Sequence, residues 1–237
     1  MKRVLVVAAH PDDEILGCGG TMAAHVAAGD EVAVVIVGEG VTSRADKRDV
    51  VSHADDLAAL RRIAERANAA VGVQRVSFCG FPDNRMDAVA LLDVVKVVEN
   101  HVRDVRPDIV YTHFGSDLNV DHRRVSEAVA TACRPVPDSG LADLLFFEVP
   151  SSTEWQVSGS RGAFSPNWHV DIRETLAAKC RALEIYESEM RDWPHARSIR
   201  AVEHLARWRG ASIGFEAAEA FVVGRVMRRL QANGGTG

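Results

Sequence analysis

His10, Asp12, Asp13 and Glu14 place one imidazole and three carboxylates within five consecutive positions, interrupted only by Pro11. His10 and Asp13 stand three residues apart. Across a turn from strand into helix that spacing lets both side chains converge on one ion, and a histidine with a carboxylate suits zinc or another divalent metal. Asp12 then points elsewhere, leaving a carboxylate beside the metal to take a proton from water. Acidic residues also stabilise helix N-termini, which explains one carboxylate here but not three together with a histidine. A second polar cluster follows about a hundred residues later: His113, Asp117, Asn119, Asp121 and His122, then Arg123 and Arg124. His122 is the candidate third ligand, and Asp121 can orient an imidazole by hydrogen bonding. Taken alone, this second cluster reads equally well as an ordinary helix start. Two such clusters, each at a strand end, favour a metal.

The elements that must position these residues alternate along the chain. Short β-branched runs predict strands over Val4–Ala9, Glu31–Val37, Arg75–Cys79, Asp108–Thr112, Asp143–Val149, Trp168–Val170 and Ala220–Val226. Helical spacing of apolar residues predicts helices over Ile15–Ala28, Ala54–Ala70, Ala88–Val105, Asp121–Cys133, Glu174–Glu189 and Arg197–Ala211. Continuous apolar strands alternating with helices imply an α/β fold: a mostly parallel sheet covered on both faces, in one domain over residues 1–230. In such sheets ligands gather at the carboxyl ends of the strands, where both clusters fall. The polar stretch Ser151–Pro166 is expected as a loop bordering the site, and residues 231–237 as a frayed tail.

Composition narrows the class. The 237 residues are 47% hydrophobic and 26% charged, which excludes a disordered chain or a coiled coil, and the net charge of −5 argues against nucleic acid as partner. No apolar stretch approaches the roughly 20 residues that span a bilayer. The four cysteines include no CxxC pair and are expected to be reduced, which points to the cytoplasm. Gly17-Cys18-Gly19-Gly20 comes too late after the first strand, and without GxGxxG spacing, for a dinucleotide turn; the carboxylates before it would repel phosphate. Trp155, Trp168, Trp193 and Trp208 are expected mostly in core or helix packing rather than in sugar stacking.

The segments Ala9-His10-Pro11-Asp12-Asp13-Glu14, Gly17-Cys18-Gly19-Gly20 and Asp117-Leu118-Asn119-Val120-Asp121-His122 together resemble the LmbE-like, or PIG-L, deacetylase family. Tyr186–Glu189, Pro194–Ser198 and Ala218–Phe221 are similar to C-terminal segments of bacterial members. The resemblance implies a Rossmann-like fold, a zinc ion, and hydrolysis of an N-acetyl group from an amino sugar or its conjugate. It puts the ligands on His10, Asp13 and His122 and the general base on Asp12. Many members carry HPDH where this chain has Asn119-Val120-Asp121-His122. Asn119 can donate to an oxyanion but cannot act as an acid, so the leaving amine's proton must come from Asp12 or from His195. Arg44, Arg85 and Glu14 are candidate substrate contacts; ion pairs with Glu39 or Asp87 would equally explain the arginines, and helix capping the glutamate. The expected partner is a small N-acetylated molecule, with a homo-oligomer possible and no membrane partner. Iron, cobalt or manganese suits the same ligands as zinc. The alternatives are an amidase or hydratase acting on a non-sugar substrate, and a non-catalytic nucleotide- or metal-binding module.

Overall fold

A computed structural model describes residues 1–44, 48–137, 140–157, 159 and 161–228. Its strands are β1 (Arg3–Ala8), β2 (Glu31–Gly38), β3 (Arg75–Phe81), β4 (Ile109–His113), β5 (Asp143–Phe147), β6 (Trp168–Asp171) and β7 (Ala218–Val226). They form one seven-stranded sheet in the order β3-β2-β1-β4-β5-β7-β6. The first five are parallel; β7 runs antiparallel to β5, and β6 antiparallel to β7. The helices are α1 (Asp13–Ala27), α2 (Ala54–Ala70), α3 (Leu91–Val105), α4 (Val120–Ala132), α5 (Leu176–Ile185) and α6 (Ile199–Ala211).

Alternation along the strands sorts the core into two layers. Val4 and Val6 of β1 and Val34 and Ile36 of β2 pack with residues of α1, α2 and α5. Leu5, Val7, Val35 and Val37 face the other way, onto α3 and α4. Because both faces are covered, these central strands carry no polar side chain after their first residues, Arg3 and Glu31. The chain leaves β1 for β2 on one side and later places β4 on the other, so the carboxyl ends of β1 and β4 adjoin at the reversal of strand order.

The first helix is broken at Cys18 (φ −148°, ψ 25°). The break frees Leu16's carbonyl, which accepts from Lys179 Nζ at 2.8 Å, and the N–H groups of Gly20 and Thr21, which donate to Glu219 at 3.0 and 2.6 Å. Lys179 and Glu219 pair with each other at 2.5 Å, so one buried ion pair bridges the kink. The glycine run serves packing: a Cβ on Gly17 would overlap the Phe147 ring, and one on Gly20 would come 2.8 Å from Ile172.

Expected and observed elements differ mainly at their ends. The helix expected from Ala88 begins at Leu91, after a separate single turn at Met86–Ala88. The one expected over Glu174–Glu189 stops at Ile185, where the N–H groups of Tyr186 and Glu189 close short turns onto Leu183 and Tyr186. The four tryptophans depart further. All are exposed, Trp155 and Trp193 by about half, so they are surface rather than core residues. Among the described residues, no helix is long and apolar enough to cross a membrane. The expected tail at 231–237 lies outside the described residues.

Candidate metal centre

Strand β1 ends at Ala8, and the turn before α1 brings His10, Asp12 and Asp13 over the carboxyl edge of the sheet. Strand β4 and the first turn of α4 bring His113 and His122 to the same edge. Ligand atoms of His10, Asp13 and His122 all lie within 4.8 Å of one another. The Asp13 carboxylate sits between the imidazoles, its Oδ2 3.3 Å from His10 Nδ1 and 3.2 Å from His122 Nε2. Asp13 Oδ1 and His122 Nε2 are buried with no hydrogen-bond partner. Orphaned polar atoms of this kind are costly unless something else satisfies them, and a divalent cation suits one carboxylate and two imidazoles.

Each imidazole is turned by a carboxylate on its far side. His10 Nε2 bonds Asp121 Oδ2 at 3.0 Å and lies 3.3 Å from Asp83 Oδ1, which leaves Nδ1 facing Asp13. Asp121 is itself fixed by the N–H groups of Asn84 (2.6 Å) and Met86 (2.9 Å) in the loop after β3. His122 Nδ1 lies 3.1 Å from Asp117 Oδ1, and Asp117 accepts from the hydroxyls of Ser152 and Thr153. These outer carboxylates fix which ring nitrogen points inward. His113 is committed elsewhere, since its Nε2 accepts from the Ala9 N–H at 2.7 Å while its ring stacks on His122 at 4.0 Å.

The electrostatics follow from burial and crowding. Burial alone would lower the His122 pKa, but Asp13 and Asp117 overcome it and push the imidazole up to about 9. His10 is raised against burial by Asp121 and Asp13. Asp13 goes the other way, held well below the usual carboxylate range against burial by His122 and His113. A cation bound here would displace these protons. Asp12 is pushed up to about 8, chiefly by burial and further by Asp13, Glu189 and Glu14, despite Arg197 Nη1 donating to its Oδ2 at 2.7 Å.

Asp12 also has an unusual backbone, φ 116°. That left-handed region is unfavourable for an aspartate, and Glu14 stabilises it by accepting the Asp12 N–H at 3.0 Å. Glu14 further accepts from the Tyr186 hydroxyl (2.6 Å) and Asn68 Nδ2 (2.8 Å), and burial raises its pKa to about 7.

A site of this composition, at this point of a doubly wound sheet, can be set beside known proteins. The family model described as GlcNAc-PI de-N-acetylase, PIG-L, matches residues 5–133. The chain belongs to the PIG-L family. It is 29% identical over 214 residues to the diacetylchitobiose deacetylase of Thermococcus kodakarensis, covering 84% of this chain and 76% of that one. It is 30% identical over 241 residues to the 1D-myo-inositol 2-acetamido-2-deoxy-alpha-D-glucopyranoside deacetylase 1 of Saccharopolyspora erythraea, covering 81% and 78%. Among solved structures it resembles GalB, the 4-carboxy-2-hydroxymuconate hydratase of Pseudomonas putida, with a TM-score of 0.75, 22% identity, and 98% and 99% of the two chains covered.

In this PIG-L chain the residues singled out from sequence meet unequally. His10, Asp12, Asp13, His122 and Asp121 come together, with Asp121 turning His10 rather than its neighbour His122. Asn119 caps α4: its Oδ1 accepts from the N–H of Asp121 at 2.8 Å, and its Nδ2 donates to Asn84 at 2.9 Å. Glu14, a candidate for substrate contact or helix capping, is buried with its carboxylate taken by the Asp12 N–H, the Tyr186 hydroxyl and Asn68 Nδ2. His195 is linked to the site through Arg197, its Nδ1 accepting from the Arg197 N–H at 3.0 Å and its ring against Trp155. Arg85 is exposed next to Asn84, and the side chain of Arg44 lies outside the described residues. Sequence reasoning missed Arg197 and Asp83, which reach the site from segments far from either cluster. For Arg197 the one available signal was its place in the Pro194–Ser198 segment, and for Asp83 its nearness to Arg85.

Proposed function

We propose that the chain is a metal-dependent hydrolase that removes the acetyl group from an N-acetylated amino sugar or amino-sugar conjugate. The observation that carries this reading is the convergence of His10, Asp13 and His122 with orphaned atoms turned inward, beside a carboxylate that is not needed as a ligand. The sugar-deacetylase relatives support the substrate class. Zinc or another divalent cation held by His10 Nδ1, an Asp13 oxygen and His122 Nε2 would supply Lewis acidity toward water and the acetamide carbonyl.

The chain's own residues do the rest. Asp12 accepts a proton from the attacking water, and its raised pKa suits a base that must hold that proton and then release it. As the C–N bond breaks, the proton goes to the amine nitrogen from Asp12, or from His195 Nε2, the ring position left as donor when Nδ1 accepts from Arg197. The products are acetate and a free amine. Arg197 is a positioning residue: it bonds Asp12 and also Ser151 Oγ at 2.7 Å, which ties the base to the loop after β5.

Metal content and acetate release, measured together, test the reading. Wild type is expected to carry about one divalent ion per chain. His122→Ala should lose both ion and activity, while Asp12→Ala should keep the ion and lose about 10²–10⁴-fold in kcat on N-acetylglucosamine conjugates. A protein that takes up no metal when zinc is supplied overturns the proposal. Metal without acetate release, but with water added to a double bond or another amide opened, would move it to the hydratase or amidase alternative.

A further inference from the structure

On the outer side of the β4–α4 loop lies an open groove lined by Gly115, Val120, Arg123, Arg124, Glu127 and Arg161, among others. It gathers three guanidiniums against one carboxylate in a chain whose net charge is −5. The one carboxylate, Glu127, is taken by Arg124 at 3.2 Å. Among the described residues, neither Arg123 nor Arg161 forms an ion pair. Arg123 spends Nη1 on the carbonyls of Asp117 (2.9 Å) and Leu118, which fixes the guanidinium at the groove and leaves its other nitrogens as donors. Asp117's own carboxylate is turned away, toward Ser152, Thr153 and His122. Burial and the like charge of Arg161 lower the pKa of Arg123 and outweigh the opposing pull of Asp117, Asp87 and Asp121, so the two cations stand close together with, among the described residues, no carboxylate paired to either.

We propose that this groove binds an anionic group, a phosphate or a carboxylate, between Arg123, Arg124 and Arg161. Guanidiniums present several donors in a plane, which matches the oxygens of either group, and mutually repelling cations gain most from an anion placed between them. The anion has two possible sources: an acidic substituent of the substrate itself, or a free anion that occupies the groove independently. The binding claim does not depend on the deacetylase reading; only the choice of source does.

Calorimetric titration of inorganic phosphate into the purified chain tests it, alongside Arg161→Ser, Arg124→Ser and, as control, Arg181→Ser on the exposed face of α5. Wild type should bind, and each groove variant should bind about tenfold more weakly, with added salt weakening all of them. The Arg181→Ser control should match wild type. No uptake by wild type, or unchanged affinity in both groove variants, overturns the proposal; the latter would place the phosphate at the metal ligands instead. KM for N-acetylglucosamine against its 6-phosphate then separates the sources. A larger KM increase for the phosphorylated sugar in Arg161→Ser identifies the substrate's own substituent; equal KM values with retained calorimetric binding identify a free anion. A chain that binds phosphate but releases no acetate from either sugar would refute the deacetylase reading and leave the groove standing.

Discussion

Two buried charged clusters adjoin along the first nine residues of α1, and they are built in opposite ways. Around the kink, Lys179 and Glu219 satisfy each other, one freed carbonyl and two freed N–H groups, and neither side chain keeps an unpartnered atom. One turn earlier, His10, Asp13 and His122 are packed as tightly, yet Asp13 Oδ1 and His122 Nε2 have no hydrogen-bond partner. Burying a charge is tolerable when every lone pair and proton is used, so the first cluster reads as structure. The second carries an unfilled demand, and unfilled demand in a dry site points to a ligand. Thr21 Oγ1 at the kink also lacks a partner, so what separates the two is whether the ionisable side chains themselves are fully paired.

That contrast can be pressed experimentally. Lys179→Met should have the largest effect, costing about 3–5 kcal/mol in urea unfolding because Glu219 is left buried and unpaired, with Glu219→Gln in the same chain restoring part of the loss. A cost below about 1 kcal/mol would mean the kink does not need its bridge. Zinc at a hundredfold excess over its Kd should stabilise wild type and Lys179→Met alike by about 2.7 kcal/mol and leave His122→Ala unmoved. Equal stabilisation of all three would place the ion elsewhere.

In chelator, stability should fall by something on the order of 2 kcal/mol as pH rises from 6.5 to 9. His122, raised to about 9, contributes stability that is lost as pH rises through its folded-state pKa. Asp12 and Glu14, raised to about 8 and 7, are already ionised in the unfolded chain over this range, so their ionisation within the fold adds cost in the same direction. A flat thermal-unfolding profile would contradict the electrostatics of the site, and metal should reverse the slope. Smallest is Asn119→Ala, expected to cost about 1 kcal/mol as a lost helix cap. A hundredfold fall in kcat with KM unchanged would instead give Asn119 a direct part in the reaction.

Much of this organisation was legible in the sequence because local pattern and global fold agree. Among the described residues, periodicity placed each strand and α-helix to within a few residues, and the acidic turn after β1 pointed to the place where His10, Asp13 and His122 meet. What stayed hidden shares one cause. Asp83, Arg197 and the Lys179–Glu219 pair act through contacts made across 40 to 199 positions in the chain, to which local spacing is blind. The same blindness left Glu14 open between a substrate contact and a helix cap, since nothing in Asp12-Asp13-Glu14 tells which carboxylate folds under the turn. The reversed direction of β7, which makes both of its pairings antiparallel, was hidden too, because apolar runs do not encode strand direction.

One contact described above reaches further than its size suggests. Gly17 lies against Phe147, whose ring meets the edge of His113 at 4.7 Å, and His113 in turn stacks on His122. Asp13 sits one helical turn before Gly17, so the two sides of the cluster are gauged against each other through an unbroken train of rings resting on a bare α-carbon. A single methyl at position 17 would act as a shim: it would spread helix from strand and open the gap between Asp13 and His122 without touching either, as little as one codon change away from a detuned centre in an otherwise intact fold.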